Sequence, residues 1–518
     1  MVGAAVLGVG ALGAAGVLVV QQRAAAKERR DRRAATAVGV RFLADWPAKR
    51  YADMTSLAGP DDPGAAYRAM DARLRVTSVQ VTPGVLSADG RQLPFAVHLQ
   101  LAGLGPLDWR SALEVTRQAG APRVAFRPGA VYPGLQPGQR LERTTPTLTR
   151  GQLLDRTGAA IRPASEDLAR NVLGSVAATR TGLERVYDAQ LTGSSGGSVE
   201  VHDLRTGART PVKQFPASPA GTVRTALDLG VQRAAEAALA SAPGTAALVA
   251  IDSATGEVRA VADKPLTGLT TAFSSEAPGS TFKIVTATAA LLAGLTPTST
   301  VTCPEKVLLG GKQFVNDEAP LPARMSLTTA FAVSCNTAFL GLADSFAPGT
   351  LRRTAALYGF GRPANLLVSG AGEGGSVPLP SGPAEGYADA IGQGRVEASP
   401  LLVASLAAAV ESGTWRQPHL VPGPADSTPL PAGVAAGLQT LMRAVVTSGT
   451  AARAGLPAGT AGKTGTAQFG TGTPLPSHAW FTGYRAGLAF CVYVERGTSG
   501  GATAAPVAAR FLAALPGR

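Results

Sequence analysis

The stretch Ala277-Pro-Gly-Ser-Thr-Phe-Lys-Ile-Val285 decides how the rest of the chain is read. A Pro-Gly turn precedes Ser280, and the apolar spacing from Ser280 to Leu292 is helical. The serine therefore opens a helix, and Lys283 falls one turn later on the same face. Its amine can reach the serine hydroxyl. Burial in apolar surroundings lowers a lysine pKa and frees the amine to act as general base, while the positive end of the helix favours a developing alkoxide. The chain has 48 Lys plus Arg, yet only Lys27, Lys49, Lys213, Lys264, Lys283, Lys306, Lys312 and Lys463 are lysine. Ordinary surface cations are written as arginine, so a lysine kept here suggests chemistry that needs a removable proton. Alone, Ser-x-x-Lys on a helix is more often a solvated pair than a site.

Two further stretches join it. Ser334-Cys335-Asn336 lies within Phe331–Phe339, and of the four asparagines (Asn171, Asn316, Asn336, Asn365) only Asn336 has a serine two residues before it. A hydroxyl and an amide so spaced on a loop can face one cavity, pass protons and hold a substrate amide; taken alone, a helix cap is the simpler reading. Gly462-Lys-Thr-Gly-Thr-Ala-Gln468 reads as an edge strand. There Lys463, Thr464 and Thr466 supply a cation and hydroxyls for a carboxylate. Gly465 allows close backbone approach, and a free N–H beyond it suits an oxyanion hole. The rival phosphate-loop reading lacks the Walker A spacing.

In this order the three motifs match the set found in penicillin-binding proteins and class A β-lactamases. The chain resembles class B penicillin-binding proteins, the monofunctional peptidoglycan D,D-transpeptidases. The likeness extends through "RGQLLDRTG" (150–158), "VAIDSATGEVRAVAD" (249–263), "IGQGRVEASPLLVA" (391–404) and "HAWFTGY" (478–484). It implies that Ser280 attacks the penultimate D-Ala carbonyl of a stem peptide ending in D-Ala-D-Ala, and that Lys283 takes its proton. Ser334 and Asn336 then relay protons and orient the peptide. Lys463, Thr464 and Thr466 bind the terminal carboxylate, or that of penicillin and other β-lactams. The backbone N–H groups of Ser280 and Thr466 form the oxyanion hole, and a second stem's amine resolves the acyl-serine. It implies no metal and no organic cofactor, and as a partner a lipid II polymerase of the shape-elongation-division-sporulation family. Hydrolysis by a D,D-carboxypeptidase or a β-lactamase is the alternative. A class A β-lactamase needs a Glu-x-x-Leu-Asn-type loop, which Glu373, Glu385, Glu397 and Glu411 do not provide. A non-catalytic β-lactam sensor would need several membrane spans or an output domain, and neither is seen.

Around these motifs the periodicity changes several times. Helical spacing runs from Val38 to about Ala58 and resumes from Tyr67 to Leu74. Alternation then marks strands at Val76–Val81, Phe95–Leu101, Trp109–Val115 and Val124–Phe126. This is a small cone-like α+β domain, similar in pattern to the nuclear-transport-factor-two-like extension of methicillin-resistance-type members. No polar groups converge in its sequence, so it reads as a spacer. Ala246–Val261 is a hairpin with an Asp/Thr/Gly turn. Two returning strands, Trp480–Tyr484 and Leu488–Val494, and a last helix from about Ala504 close one α/β unit by its two ends. The expected architecture is α/β and α+β multidomain: an anchor and basic segment over 1–34, the extension over 35–145, a pedestal over 146–221, and over 222–518 a serine β-lactamase/penicillin-binding-type transpeptidase domain, an antiparallel sheet flanked by helices.

Val2–Val20 is apolar or glycine and close to the ~20 residues that cross a bilayer. It reads as a single-pass anchor in the cell membrane with an extracytoplasmic catalytic domain. Arg23 and Lys27 crowd the small-residue run Ala24–Ala26 and argue against a cleaved signal peptide. Six basic residues between Arg23 and Arg33 oppose that orientation under the positive-inside rule, so a basic leader upstream of the printed start is expected. A net charge of +13 suits nucleic acid or an anionic surface; with no zinc spacing, Walker loop or aromatic-studded basic stripe, a dispersed Arg-rich surface is the leading reading, and anionic envelope polymers are a more natural partner than nucleic acid. Cys303, Cys335 and Cys491 make no disulfide framework; Cys335 reads as a packed thiol and Cys491 as a small buried hydrophobe. His98, His202 and His419 read as strand or loop residues, and His478 as lining the rim of the site.

Overall fold

The computed structural model describes residues 8–146, 150–161, 169–175, 181–193, 196–265, 271–317, 320–363, 374–471 and 475–517, with side chains from Val20 onward. Asn365, Glu373 and residues 2–7 of the expected Val2–Val20 anchor lie outside that description. Among the described residues no helix is long and apolar enough to cross a membrane. Two units are formed, one by 1–150 with 192–220, the other by 151–191 with 221–518. The segment expected as a pedestal is thus shared between them.

In the first unit α1 (Gly8–Asp45), α2 (Tyr51–Leu57) and α3 (Pro63–Leu74) precede β1 (Val76–Pro83), β2 (Gln92–Leu101), β3 (Gly105–Gln118) and β4 (Ala121–Ala125). The strands form one antiparallel sheet in sequence order. On β2 the alternate residues Leu93, Phe95, Val97, Leu99 and Leu101 are all buried, and Phe42, Leu43, Tyr67, Met70 and Leu74 from the helices, with Trp46 just past α1, share their core. The helix expected from Val38 to Ala58 is two helices. Pro47 lacks an N–H and disfavours helical geometry before it, and Lys49 turns at φ 57°. Polar groups do converge here, against expectation: buried Asp71 accepts from Trp46 Nε1 at 3.1 Å, Lys49 Nζ at 2.5 Å and the Tyr51 hydroxyl at 2.6 Å. The cluster satisfies itself. A second sheet joins β5 (Gln139–Thr144), β6 (Gly197–Asp203) and β7 (Arg209–Phe215), with β6 central.

In the second unit α4 (Leu229–Ala240) leads into β8 (Ala246–Asp252) and β9 (Val258–Lys264). Then follow α5 (Lys283–Leu292), a hairpin of β10 (Lys306–Leu309) and β11 (Lys312–Val315), α6 (Leu327–Ala332), α7 (Asn336–Asp344), α8 (Pro400–Ser412) and α9 (Val434–Thr447). The last elements are β12 (Ala461–Gln468), β13 (Ser477–Arg485), β14 (Leu488–Gly497) and α10 (Ala505–Ala513). The five long strands make one antiparallel sheet in the order β9-β8-β14-β13-β12. Every residue of Ala246–Ile251 is buried, so both faces of the sheet are covered, and the strands read as continuous apolar runs. Helix α8 packs on β8 and β14, while α4 packs on β9 and β8, and α10 packs on α4 and on β14 and β13. Strand β12 is left at the edge, as the alternation over Gly462–Gln468 predicts.

Candidate active site

Ser280 lies in a tight 3-10 turn, Gly279–Phe282, that runs directly into α5. The turn rests on edge strand β12 through two glycines. Gly279 has φ 52°, and a Cβ there would meet Thr466 O at 2.4 Å. A Cβ on Gly465 would meet Pro278 O at 2.7 Å. From the other side Gly279 N donates to Gly392 O at 2.8 Å, and Glu276 is bridged to Ala398. The "IGQGRVEASPLLVA" segment therefore supports the serine turn before Ser399 caps α8 by accepting from Leu402 N.

One helical turn on, Lys283 is fully buried (0% exposed) beside Ser280 at 6%. Its hydrogen bonds run to the second motif: Nζ donates to Ser334 O at 2.7 Å and Asn336 Oδ1 at 2.6 Å, and lies 3.2 Å from Ser334 Oγ. The Ser280 hydroxyl is not among its partners. Lys463, also fully buried, donates to the same Ser334 Oγ at 3.0 Å and to Thr464 O at 3.0 Å. Each amine stands over an aromatic ring, Lys283 over Phe339 at 5.4 Å and Lys463 over Phe331 at 5.5 Å. Burial first, and the Lys463 charge second, hold the Lys283 pKa well below the ordinary lysine range, while Asp317 pulls it upward.

Ser334 and Asn336 belong to the turn between α6 and α7, where Ser334 takes φ 57°, unusual for a side-chain-bearing residue. Asn336 opens α7, and the capping residue is Cys335, whose sulfur accepts from Ala338 N at 3.2 Å. Cys335 is no packed thiol. It is bonded to Cys303, with Cα atoms 6.3 Å apart and a sequence separation of 32. Cys491 does remain a buried free thiol, its pKa pushed up by burial.

Ser280, Ser334, Thr464 and Thr466 line one cleft of ≈ 610 Å³, and the two buried lysines reach it through the Ser334 hydroxyl. Thr450 Oγ1 lies 2.6 Å from Thr464 Oγ1, and Gly500 N donates to Thr466 Oγ1 at 3.3 Å. A more apolar hollow of ≈ 270 Å³, between 346–352 and 377–380, holds none of the expected site residues.

The family profile for the penicillin binding protein transpeptidase domain matches residues 246–513. Peptidoglycan D,D-transpeptidase PbpA of Mycolicibacterium smegmatis is 31% identical over 405 residues, 66% of this chain and 80% of the relative. The chain belongs to the penicillin-binding protein transpeptidase family. PbpA of Mycobacterium tuberculosis is likewise 31% identical, over 65% of this chain and 80% of its own length. Among solved structures, a chain from a peptidoglycan synthase complex that coordinates polymerization and crosslinking superposes with TM-score 0.63 at 25% identity, covering 73% of this chain and 92% of that one. Penicillin-binding protein 3 of M. tuberculosis, solved with aztreonam, shares the fold at TM-score 0.61 and 22% identity, over 72% of this chain and 96% of its own.

Within this penicillin-binding fold several cleft residues escape the motif reading. Among the described residues, Asp317 and Arg453 are the charged ones lining the cleft, and Thr450 backs Thr464. Asp317 follows Asn316, one of only four asparagines, and that rarity was the one available signal. His478 does not line the rim. It is buried in β13, stacked on Phe469 at 4.0 Å, with Nδ1 2.8 Å from Glu495 O and 3.0 Å from the Tyr493 hydroxyl. Strand alternation turns Ser477 to the cleft and His478 away from it.

Proposed function

We propose that the chain is a peptidoglycan D,D-transpeptidase acting through an acyl-serine at Ser280. The observation that carries this reading is the meeting of two fully buried lysines on the Ser334 hydroxyl, beside a serine that opens to the cleft. With Lys283 neutral, Ser334 accepts from Lys463 and donates to Lys283, which makes a proton relay. When a stem peptide enters, Lys283 takes the Ser280 proton and Ser280 Oγ attacks the penultimate D-Ala carbonyl carbon. The carbonyl oxygen becomes an oxyanion facing the backbone N–H groups of Ser280 and Thr466. The C–N bond to the terminal D-Ala breaks, and the proton passes through Ser334 to the leaving amine. The amine of a second stem then attacks the ester, releasing Ser280 and forming the cross-link.

Asn336 orients the peptide amide. Lys463, Thr464 and Thr466 hold the terminal carboxylate, with Gly465 allowing the backbone to approach. A β-lactam supplies the same carboxylate and a strained amide, so it acylates Ser280 and stays there. The residues over 35–145 form a nuclear-transport-factor-two-like extension, 146–221 a pedestal and 222–518 the transpeptidase domain. The chain is held to the cell membrane by Val2–Val20, with catalysis outside. The synthase-complex neighbour supports a lipid II polymerase as partner.

Intact-mass measurement over hours after mixing with penicillin, beside Ser280→Ala, tests this. A lasting adduct of one drug molecule, absent in Ser280→Ala, is expected. Rapid drug turnover would make the protein a hydrolase, and no adduct would overturn the acyl-serine assignment.

A further inference from the structure

We propose that Asp317 is a positioning residue of this cleft: it fixes the Asn336 amide, and through it the Lys283 amine, in the arrangement that receives the Ser280 proton. The inference rests on the roles assigned to Ser280 and Lys283 above. An amide has a donor end and an acceptor end, and its orientation is set by what stands at each. Asn336 Nδ2 faces two acceptors, Val315 O at 3.3 Å and Asp317 Oδ2 at 3.4 Å. Its Oδ1 accepts from Lys283 Nζ at 2.6 Å. Turned over, the amide would set oxygen against a carbonyl and a carboxylate, and its NH2 against the amine.

The loop that carries Asp317 is itself tied down. The neighbouring Asn316 donates from Nδ2 to Pro304 O at 3.0 Å and accepts at Oδ1 from Thr337 N, in the first turn of α7, at 3.1 Å. Asp317 is thereby delivered to one place beside the second motif. Among the described residues two charged groups act on Lys283, Lys463 from β12 and Asp317 from the loop after β11. The other groups around it, Ser280, Ser334, Asn336 and the Phe339 ring, carry no charge. Burial and Lys463 drive the amine toward its neutral form, and Asp317 alone opposes them. Asp317 thus steadies a lysine that must both take up the Ser280 proton and hold it until the leaving group departs.

The test is the pH profile of the acylation rate constant with a fluorescent penicillin, measured on the full chain and on Asp317→Asn, Asp317→Ser and Asp317→Glu, with melting temperatures alongside. Removing the carboxylate lets the Lys283 pKa fall, so base appears at lower pH. The acid limb should move down by about one pH unit in Asp317→Asn and Asp317→Ser, with the acylation plateau reduced, and Asp317→Glu should return the limb toward wild type. A purely structural role would change melting temperature and plateau and leave the limb in place. Unmoved limbs in both neutral variants, with the wild type still acylated, overturn this proposal alone. A wild type that is not acylated at any pH overturns the Ser280 assignment and this proposal together.

Discussion

Ser334 combines two features that a mutation can pull apart. Its left-handed backbone costs a non-glycine residue about 1 kcal/mol or more, and its hydroxyl stands between two buried amines. Ser334→Gly relieves the backbone and removes the hydroxymethyl group, and with it the hydroxyl between the two amines. Melting temperature should hold or rise while acylation by penicillin slows by about 10²–10⁴-fold; a fast-acylating glycine variant would show the relay to be unnecessary. At this scale the sequence was readable where a residue type was rare. Lysine scarcity singles out Lys283 and Lys463, and asparagine scarcity singles out Asn336. Asp317 and Arg453 are ordinary loop residues until the fold brings them to the cleft. The direct Lys283-to-Ser280 contact suggested by helical spacing gives way to Ser334 and Asn336. Spacing reports which face a side chain shares, whereas its hydrogen bonds depend on chains that arrive from elsewhere.

The first turn of α7 shows what an element gains from covalent fixing. Cys335 caps the helix, separates Ser334 from Asn336, and is tied across 32 residues to Cys303. Closing a loop of that size removes unfolded-state freedom equivalent to about 3–4 kcal/mol in the chain-entropy account. Reduction and alkylation should therefore lower Tm and slow acylation together, since the same turn carries Ser334. Mass mapping should show Cys491 unmodified in the folded protein because it is buried. If reduced protein keeps both its Tm and its acylation rate, the bond has no part in shaping the cleft. The pairing was not legible: three cysteines at irregular spacing fix no partner, and only the tertiary approach of Cys303 to the turn does. The edge strand β12 and the hairpin β8–β9 were legible because two-residue alternation and an Asp/Thr/Gly turn are local signals. The expected continuous helix over Val38–Ala58 failed at Pro47, where a local breaker outweighs apolar periodicity.

Stability of the whole chain should carry the mark of two buried carboxyls. Asp263, which accepts from Ala272 N at 2.9 Å and Asn171 Nδ2 at 3.2 Å, and Asp389 each have a pKa raised to about 6, chiefly by burial. Between the ordinary carboxyl value and pH ~6 the folded state keeps protons that the unfolded state has released, so their contribution to stability falls as pH rises through that window. Asp263→Asn removes one of the two, and denaturant unfolding from pH ~4 to ~6 should show a smaller decline than wild type. An unchanged slope would mean that Asp263 is ionised in the fold. At the level of the whole chain, sequence motifs marked out the transpeptidase domain. The division of 146–221 between two units was hidden, because β6 and β7 pair with β5 across more than fifty residues of chain. The order of the central sheet has a consequence for synthesis. Strand β8 pairs with β14, some 240 residues later, and β12 reaches the sheet only through β13. A nascent chain that has reached α9 holds Ser280, Lys283 and the disulfide turn, but it lacks β12, β13 and β14. Translation must therefore pass β14 before the site can assemble, and until then the β8 edge needs shielding from other chains.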